Sequence, residues 1–371
     1  MSGPSVLMLT RYGQLGASTR LRFLAYRPAL REAGIRLTEA PLLDDAYLQA
    51  LYAGRQPSRR TIAAAYARRI AALRSARRHD LVWLEKEALP WLPAGAEAAA
   101  GLGSVPYVMD IDDAWFERYA GHRLAPVRAL LGDKFATLAR NARIVLAGNP
   151  YLADWARGAG ARDVRILPTV IDLARYPVQP LPEPAASPAG VGGPVTVGWM
   201  GSPSTARYLG LIGNALARLG PAVRLRVVGA AGRDLPCPLP VPAAFVPWSE
   251  ESEAGELAGF AIGVMPLPDD PWERGKCGYK LIQYMAAGRP VIASPVGVNA
   301  TLVQHGVNGF LAEDEASWTE AIGRLAADPD LRARMGAAGR RLVEERYNLG
   351  AAAPSLVEAL RDAAAGQGAR P

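Results

Sequence analysis

A glycine-rich segment that carries two lysines has the residue types best suited to bind an anion. It reads Trp-Glu-Arg-Gly-Lys-Cys-Gly-Tyr-Lys from Trp272, and it leads into a predicted helix from about Tyr279 to Ala287. The first amides of a helix have no partner within it, so with Lys276 and Lys280 they can hold a diphosphate without a metal ion. The alternative interpretation is a solvated basic turn.

A second segment, directly after the first predicted strand, is rich in small residues. It reads Arg-Tyr-Gly-Gln-Leu-Gly-Ala-Ser-Thr-Arg over residues 11–20. Small residues let the backbone approach a ligand closely, and a helix start can hold an anion or a hydroxyl group. The spacing differs from the G-x-G-x-x-G pattern, so it does not favour a dinucleotide site. An ordinary tight turn explains the segment equally well.

Acidic residues follow the fourth predicted strand. Asp110 and Asp112 are two residues apart, so their side chains point to the same face of this strand. Asp113 begins the loop before Trp115. Carboxylates at a strand end can orient sugar hydroxyls, bind a metal or act as a base. One of them could instead cap the next helix. We interpret Asp112 or Asp113 as functional.

Another predicted strand ends at Gly201. Ser202 is suited to cap a helix whose first residue is Pro203. This interpretation places Arg207 in the first helical turn, where a positive charge opposes the helix dipole. Gly201 and Arg207 therefore predict an anion near this helix start.

Short apolar runs alternate with longer helical patterns along the chain, which predicts parallel sheets with helices on both faces. Residues 176–194 are dense in proline, glycine and alanine and predict a linker. The fold class is therefore α/β, with two doubly wound, Rossmann-like domains that face each other across a cleft. Ligands bind beyond the carboxyl ends of the strands in such folds. The predicted strands are 5–10, 35–40, 80–84, 106–111, 144–147, 164–167, 195–200, 224–228, 244–247, 261–265, 290–293 and 309–311.

The composition argues against several classes of protein. Half of the 371 residues are hydrophobic, which excludes a disordered chain. No apolar run approaches the ~18 residues of a membrane span, and the first residues lack the basic region of a signal peptide. Cys237 and Cys277 make no disulfide framework and favour a reducing cytoplasm. The three scattered histidines argue against a zinc or Ser-His-Asp enzyme.

Lysine is rare in a chain that is otherwise rich in cations. Lysine and arginine number 42 against 35 acidic residues, so the net charge is +7. Only Lys86, Lys134, Lys276 and Lys280 are lysines. We interpret the arginine excess as a compositional background, whereas the closeness of Lys276 and Lys280 in the glycine-rich segment points to function.

The sequence from Tyr279 to Asn299, YKLIQYMAAGRPVIASPVGVN, resembles the signature of bacterial family-four retaining glycosyltransferases of the GT-B fold, the glycosyl transferases group 1. Four further segments are similar in type and order to this family. They are residues 149–156 (NPYLADWA), 164–176 (VRILPTVIDLARY), 246–268 (VPWSEESEAGELAGFAIGVMPLP) and 306–322 (GVNGFLAEDEASWTEAI).

This resemblance implies an acceptor-side domain over residues 1–175, to which a helix at 351–371 returns, and a donor-binding domain over 195–350. The family's diphosphate-binding arginine and lysine correspond here to Ser202 and Arg207. Its paired glutamates correspond to Gly275 and Gln283, so that pair is absent. Its histidine and aspartate after the fourth strand appear as Asp112 and Asp113.

The implied reaction moves a sugar from a nucleotide-diphosphate donor to an acceptor hydroxyl, with retention and without metal or cofactor. The acceptor is a glycan, a lipid-linked sugar or a small molecule, in cell-envelope glycan, glycolipid or secondary-metabolite synthesis. The catalytic set is Arg207, Lys280, Lys276, Asp112 and Glu273. The residues expected to bind the donor are Gly13, Gly16, Ala17, Gly201, Ser202, Trp248, Cys277, Gly278, Tyr279, Leu281 and Gln283. Those expected on the acceptor side are Gln14, Ser18, Arg20 and Asp113.

Two other functions stay open on the sequence. A nucleotide-sugar epimerase shares the architecture, but its acid–base chemistry would need groups such as histidine in the motifs. A non-catalytic protein that binds nucleic acid or membrane is suggested by the arginines of residues 55–78. No nucleic-acid motif occurs there. A helix with Ile62, Tyr66, Ile70 and Leu73 on its packed side would turn arginines outwards, towards solvent or the inner face of an anionic membrane.

Overall fold

The computed structural model describes residues 3–181, 193–235 and 239–365. Most of the predicted linker, Cys237 and the last six residues lie outside these ranges. The chain divides into two compact units. The first contains residues 1–170, 275–277 and 349–371, and the second contains residues 171–274 and 278–348.

Each unit is built on a six-stranded sheet in which every paired strand is parallel. The strand orders are β2-β1-β3-β4-β5-β6 and β12-β11-β10-β7-β8-β9. All twelve predicted strands are confirmed, each to within one residue at either end. The bounds are β1 Ser5–Leu9, β2 Arg36–Glu39, β3 Leu81–Glu85, β4 Tyr107–Ile111, β5 Ile144–Ala147, β6 Val164–Ile166, β7 Val195–Met200, β8 Val223–Val228, β9 Ala243–Val246, β10 Ile262–Met265, β11 Val291–Ala293 and β12 Gly309–Leu311.

Helices connect most successive strands of each sheet, since parallel pairing requires a crossover. Between β8 and β9 the described residues contain only the 3₁₀ turn Gly232–Asp234. Short 3₁₀ turns also lie between some of the helices, including Arg207–Ile212. The α-helices are α1 Ala17–Arg22, α2 Arg27–Glu32, α3 Asp45–Tyr52, α4 Arg59–Arg74, α5 Ala94–Ala100, α6 Trp115–Ala120, α7 Ala125–Leu131, α8 Lys134–Asn141, α9 Pro150–Gly158, α10 Pro203–Ala206, α11 Gly213–Leu219, α12 Glu253–Ala258, α13 Pro271–Arg274, α14 Tyr279–Ala286, α15 Asn299–Leu302, α16 Glu315–Ala327, α17 Pro329–Arg346 and α18 Leu349–Ala365.

Both faces of the first sheet are buried, because successive side chains of a strand point to opposite sides. Val82 and Leu84 of β3 join one apolar cluster, while Leu81 and Trp83 join the other. Helix α18 covers the second of these faces through the side chains of Leu356, Ala359, Leu360 and Ala363.

The second sheet is buried in the same way. Val197 and Trp199 of β7 pack into one cluster, and Met200 packs into the other. The backbone of β7 comes so close to Phe260 that a Cβ atom at Gly198 would overlap its ring. Glycine is therefore required in the interior of this strand.

The packed side of α4 differs from the predicted one. Tyr66 and Ile70 are half-buried against the core and Leu73 is fully buried, but Ile62 is 36% exposed. The arginines predicted to face outwards, Arg60, Arg68, Arg74 and Arg78, are exposed. Arg69, for which no side was predicted, packs inwards and donates a hydrogen bond to the carbonyl of Thr10. The prediction for Ile62 is wrong, since the first turn of α4 extends past the core that the later turns contact.

Candidate functional site

The glycine-rich segment that the sequence predicts to bind an anion leads into α14, and its last residues, from Gly278, lie in the second unit. The helix begins at Tyr279 after Gly278, which has φ +65° and provides no side-chain cap. A Cβ atom at Gly278 would overlap the side chain of Leu302, so this position needs glycine for its backbone and for space. The helix predicted from Tyr279 is thereby confirmed, and it ends before Gly288 with φ +72°.

Lys280 and Gly201, which are far apart in the sequence, come together in this unit. The Lys280 Nζ lies 4.8 Å from the centre of the Trp199 ring and 3.4 Å from the Thr205 Oγ1. A Cβ atom at Gly201 would be 2.6 Å from the Lys280 Cε, so only glycine leaves room for the lysine stem. The ammonium group is thus set just past the carboxyl end of β7.

Arg207 does not lie in the first turn of a helix, where the sequence predicted it. Ser202 is the N-cap residue of α10 with Pro203 in the first turn, as predicted, although the Ser202 side chain makes no cap hydrogen bond. The helix has a single turn and Arg207 is its C-cap residue, so the expected conflict between Arg207 and a helix dipole is wrong.

Arg207 is nevertheless linked to a buried carboxylate. Its guanidinium donates to the Tyr208 hydroxyl at 3.1 Å, and that hydroxyl donates to the Glu273 carboxylate. Glu273 is buried, whereas Arg207 is exposed. Burial and the hydrogen bond to Glu273 raise the pKa of Tyr208, so the phenol stays protonated and keeps this chain of contacts intact.

Three other predicted donor residues pack into the second unit. Trp248 is half-buried, and its Nε1 donates to the Glu253 Oε2 at 2.7 Å. Leu281 is fully buried. Gln283 is also buried, with its Nε2 at 3.9 Å from the Met200 Sδ.

In the first unit, Lys86 is the centre of a charged cluster that the sequence reasoning missed. This buried residue follows β3 with φ +63°, in the left-handed region that non-glycine residues rarely adopt. Its Nζ lies 2.9 Å from the Asp112 Oδ1 and 3.6 Å from the Glu85 Oε1, and it donates to the Ser18 Oγ at 3.1 Å. Two predicted site residues, Asp112 and Ser18, are thereby brought together by an unpredicted one.

The charges in this cluster keep Asp112 ionised. Burial disfavours its carboxylate, but the Lys86 ammonium and the Arg22 guanidinium outweigh burial and lower the pKa of Asp112. Burial likewise opposes the charge on Lys86, and the carboxylates of Asp112 and Glu85 raise its pKa. The neighbouring Asp110 pairs with Arg22 at 2.6 Å, yet burial dominates there and raises the pKa of Asp110 to about 6.

The small-residue segment of residues 11–20 is shaped by its own protein contacts. The Leu15 amide donates to the Asp45 Oδ1 at 2.8 Å, and a Cβ atom at Gly13 would lie 2.6 Å from the same oxygen. Gly16 packs similarly closely against Tyr12. These contacts favour the tight-turn interpretation of both glycines. Of the remaining predicted residues, Gln14 and Ala17 are exposed, and the buried Arg20 donates to the Gln14 carbonyl at 3.3 Å.

Residues 275–277 belong to the first unit, so Lys276 lies in that unit and Lys280 lies in the second. The Lys276 Nζ lies 3.8 Å from the Asp113 Oδ1. Asn149, another residue that the sequence reasoning did not single out, donates from its Nδ2 to the carbonyls of Gly275 at 2.9 Å and Lys276 at 3.0 Å. Cys277 donates to the Asp112 carbonyl at 3.0 Å, and burial raises the pKa of its thiol to about 12, which makes it a poor nucleophile.

Two kinds of functional element are not found within residues 3–181, 193–235 and 239–365. No group of three or more histidine, cysteine, aspartate or glutamate side chains in these ranges is arranged to hold a metal ion. None of the helices there combines the length and apolar character needed to cross a membrane.

The buried Lys86–Asp112 pair predicts a specific pattern of stability changes. Lys86→Met keeps the side-chain length but leaves the carboxylates of Asp112 and Glu85 without their ammonium, so we expect a loss of about 3–5 kcal/mol in the free energy of unfolding. Adding Asp112→Asn to this variant should recover part of that loss, because one uncompensated charge disappears. Urea unfolding at pH 7 measures both values; a double variant no more stable than Lys86→Met would contradict the pairing.

Trp91 and Lys86 are the non-glycine residues with positive φ among those described. This backbone conformation predicts that two substitutions at Trp91 differ in stability in an unusual order. Trp91→Gly and Trp91→Ala both remove the ring, but only alanine bears the cost of φ +63°. We therefore expect the glycine variant to be more stable by about 1 kcal/mol. The same exchanges at the neighbouring Leu92, which has no positive φ, should give the opposite order in thermal unfolding.

Comparison with known proteins agrees with this architecture. Residues 195–328 match the family described as Glycosyl transferases group 1. The D-inositol 3-phosphate glycosyltransferase of Streptomyces scabiei is 36% identical over 94 residues, which cover 25% of this chain and 20% of that protein. The match thus spans about a fifth of the length of this curated relative.

Two solved structures resemble the whole chain in fold. HepE of Anabaena, in complex with UDP-glucose, is 18% identical with a TM-score of 0.69, over 97% of this chain and 100% of that one. Sucrose-phosphate synthase of Thermosynechococcus elongatus is 16% identical with a TM-score of 0.69, over 98% and 99% of the two chains. The predicted GT-B fold is therefore confirmed, and residues 195–328 match the glycosyl transferases group 1 that the sequence resembles.

Proposed function

We propose that this protein is a glycosyltransferase that moves a sugar from a nucleotide-diphosphate donor to an acceptor hydroxyl, with retention and without a metal ion. The second unit supplies the donor-binding residues, and the first unit supplies the acceptor-side residues. The family match over residues 195–328 supports donor binding by the second unit. UDP-glucose, which is bound in the HepE structure, is the donor type to examine first.

The observation that carries this proposal is the position of Lys280. Its ammonium group lies beside Thr205 and over Trp199, past the end of β7, and its own helix begins one residue earlier. A cation and the first amides of a helix are complementary to a diphosphate. They stabilise the charge that develops on the leaving group, which is the role a metal ion has in other transferases.

Arg207 is a second cation that we assign to the diphosphate. It is exposed but tethered through Tyr208 to the buried Glu273. This tether limits where the guanidinium can move, so we assign Arg207 to the diphosphate and Glu273 to positioning Arg207. A prepositioned cation loses less conformational entropy when the donor binds.

On the acceptor side, we assign Asp112 to orienting the attacking hydroxyl. The Lys86 ammonium lowers the pKa of Asp112, and a carboxylate with a low pKa is a weak base. In the proposed reaction the bond from the anomeric carbon to the phosphate oxygen breaks while the bond to the acceptor oxygen forms on the same face. The proton of the acceptor hydroxyl then passes to the leaving phosphate oxygen.

The donor assignment is tested with Lys280→Ala. A panel of nucleotide sugars, screened by the rise in the melting temperature, first identifies a donor that binds the unmodified protein. We expect Lys280→Ala to lower turnover of that donor by about 10²–10³-fold, the cost of removing one transition-state stabilising group. Arg334→Ala, which removes an exposed cation of α17, should leave turnover unchanged.

Full turnover by Lys280→Ala would overturn this site assignment. Formation of a sugar epimer in the absence of any acceptor would instead identify the protein as an epimerase.

We also propose that the exposed side of α4 contacts anionic membrane surfaces from the cytoplasm. Arg59, Arg60, Arg68 and Arg74 are all exposed on this helix, and Arg77 and Arg78 follow it. Each cation near such a surface contributes about 1 kcal/mol to binding. Contact of this kind would bring the protein to a lipid-linked acceptor.

Vesicle sedimentation tests the membrane proposal. At low salt, the protein should sediment with phosphatidylglycerol vesicles and not with phosphatidylcholine vesicles. Arg60→Glu/Arg68→Glu should weaken this binding at least ~10-fold, from the loss of two favourable cation contacts. The charge-matched control Arg334→Glu/Arg341→Glu on α17 should not. Equal losses in both variants, or no binding at low salt, would refute the proposal.

A further inference from the structure

The loop after β3 holds an exposed tryptophan in an unfavourable backbone conformation. Lys86 and Trp91 are the two non-glycine residues with positive φ among those described, and both belong to this loop. Lys86 is buried, which its ion pairs explain, whereas 43% of the Trp91 surface is exposed. Backbone strain of this kind persists where the surroundings enforce it, and it concentrates at ligand-binding sites.

A buried network holds Trp91 in place. The Trp91 amide donates to the Tyr119 hydroxyl at 2.9 Å, and this hydroxyl contacts the Glu87 carboxylate at 3.0 Å. Glu87 pairs in turn with the buried Lys134 at 2.7 Å. The network pins the backbone of Trp91, and its ring meets Tyr119 and His122 in edge contacts with ring centres 5.3 and 5.8 Å apart. These contacts hold the ring in place but leave 43% of the residue exposed to solvent.

A second tryptophan and an arginine complete the surface. Arg118 of α6 places its guanidinium carbon 5.2 Å from the centre of the Trp91 ring and 5.1 Å from that of Trp115. The guanidinium carbon of Arg11 lies 4.5 Å from the same Trp115 ring. Arg118 is exposed, and in the ranges that the structure describes its guanidinium makes no hydrogen bond or ion pair.

This arrangement specifies the chemistry of a ligand. A guanidinium held against aromatic rings keeps the N–H groups at its edge available, and that edge matches the two oxygens of a phosphate or carboxylate. An exposed indole ring provides a flat apolar surface on which the C–H face of a sugar ring can pack. Trp115 is two residues from Asp113, so these groups adjoin the residues that we assign to the acceptor side.

We propose that Trp91, Trp115 and Arg118 form an acceptor subsite for a sugar that carries a phosphate or carboxylate group. The inference rests on the proposed transferase function, because it identifies the class of acceptor. Trp91 packs on the sugar ring, Arg118 binds the anionic group, and the Glu87–Lys134 network positions Trp91. The hydroxyl to be glycosylated is then presented to Asp112.

The experiment measures binding by calorimetry without any donor, at fixed ionic strength. Glucose 6-phosphate and glucuronate should bind at least ~10-fold more tightly than glucose or inorganic phosphate, because each offers both the ring and the anion. Arg118→Gln should abolish this preference, while Arg123→Gln, a nearby exposed arginine outside the subsite, should preserve it. Trp91→Gly should weaken binding of both anionic sugars and leave inorganic phosphate unchanged.

Three results would overturn the subsite. Glucose could bind as tightly as its anionic counterparts, inorganic phosphate could bind as tightly as glucose 6-phosphate, or the two arginine variants could lose affinity equally. The melting-temperature shift with UDP is measured on the same variants. If UDP raises the melting temperature but anionic sugars bind no more tightly than glucose, the subsite alone is refuted. If the unmodified protein neither binds a nucleotide-sugar donor nor transfers its sugar, the transferase proposal is refuted.

Discussion

Lys86 is buried at the end of β3, and a buried ammonium group is stable only if carboxylates neutralise it and accept its hydrogen bonds. Asp112 and Glu85 meet this requirement from the ends of β4 and β3, which are neighbours in the sheet. The pair fixes the loop after β3 against the loop after β4. Several features of the first unit depend on it: the ionised state of Asp112, the left-handed backbone at Lys86 and the placement of Ser18.

Two of the four lysines of this arginine-rich chain, Lys134 and Lys280, occupy positions suited to a compact ammonium group on a slender stem. Lys134 shows the reason most clearly, since its Nζ contacts the Glu87 Oε2, the Glu97 Oε1 and the Leu89 carbonyl at 2.7–2.8 Å. Three acceptors around one nitrogen match the three donors of an ammonium group. Lys280 lies against the backbone at Gly201, where its slender stem fits.

The cations of this chain occupy two kinds of environment. In the first, Lys86 and Lys134 are paired and buried, so they organise carboxylates and a loop. In the second, Lys280 and Arg207 lie closer to solvent, and Arg207 reaches a buried carboxylate through a tyrosine. Paired buried charges give rigidity. Cations nearer to solvent, such as Lys280 and Arg207 of the second unit and Arg118 of the first, keep their charge for a ligand.

The sequence by itself determined the strands, the parallel α/β architecture and the extent of α14, because buried parallel strands are continuous apolar runs and a glycine such as Gly288 marks a left-handed helix end. It also led to Asp112 through its position after a strand, and to Lys280 through the glycine-rich segment that leads into a helix. Only the tertiary structure decided which residues join them. Lys86, Trp91 and Arg118 lie in no motif, and Arg207 and Ile62 were misjudged because helix length and the extent of the core depend on distant contacts. Local patterns report what a segment can form, whereas charge pairing and backbone strain arise between segments that meet only after folding.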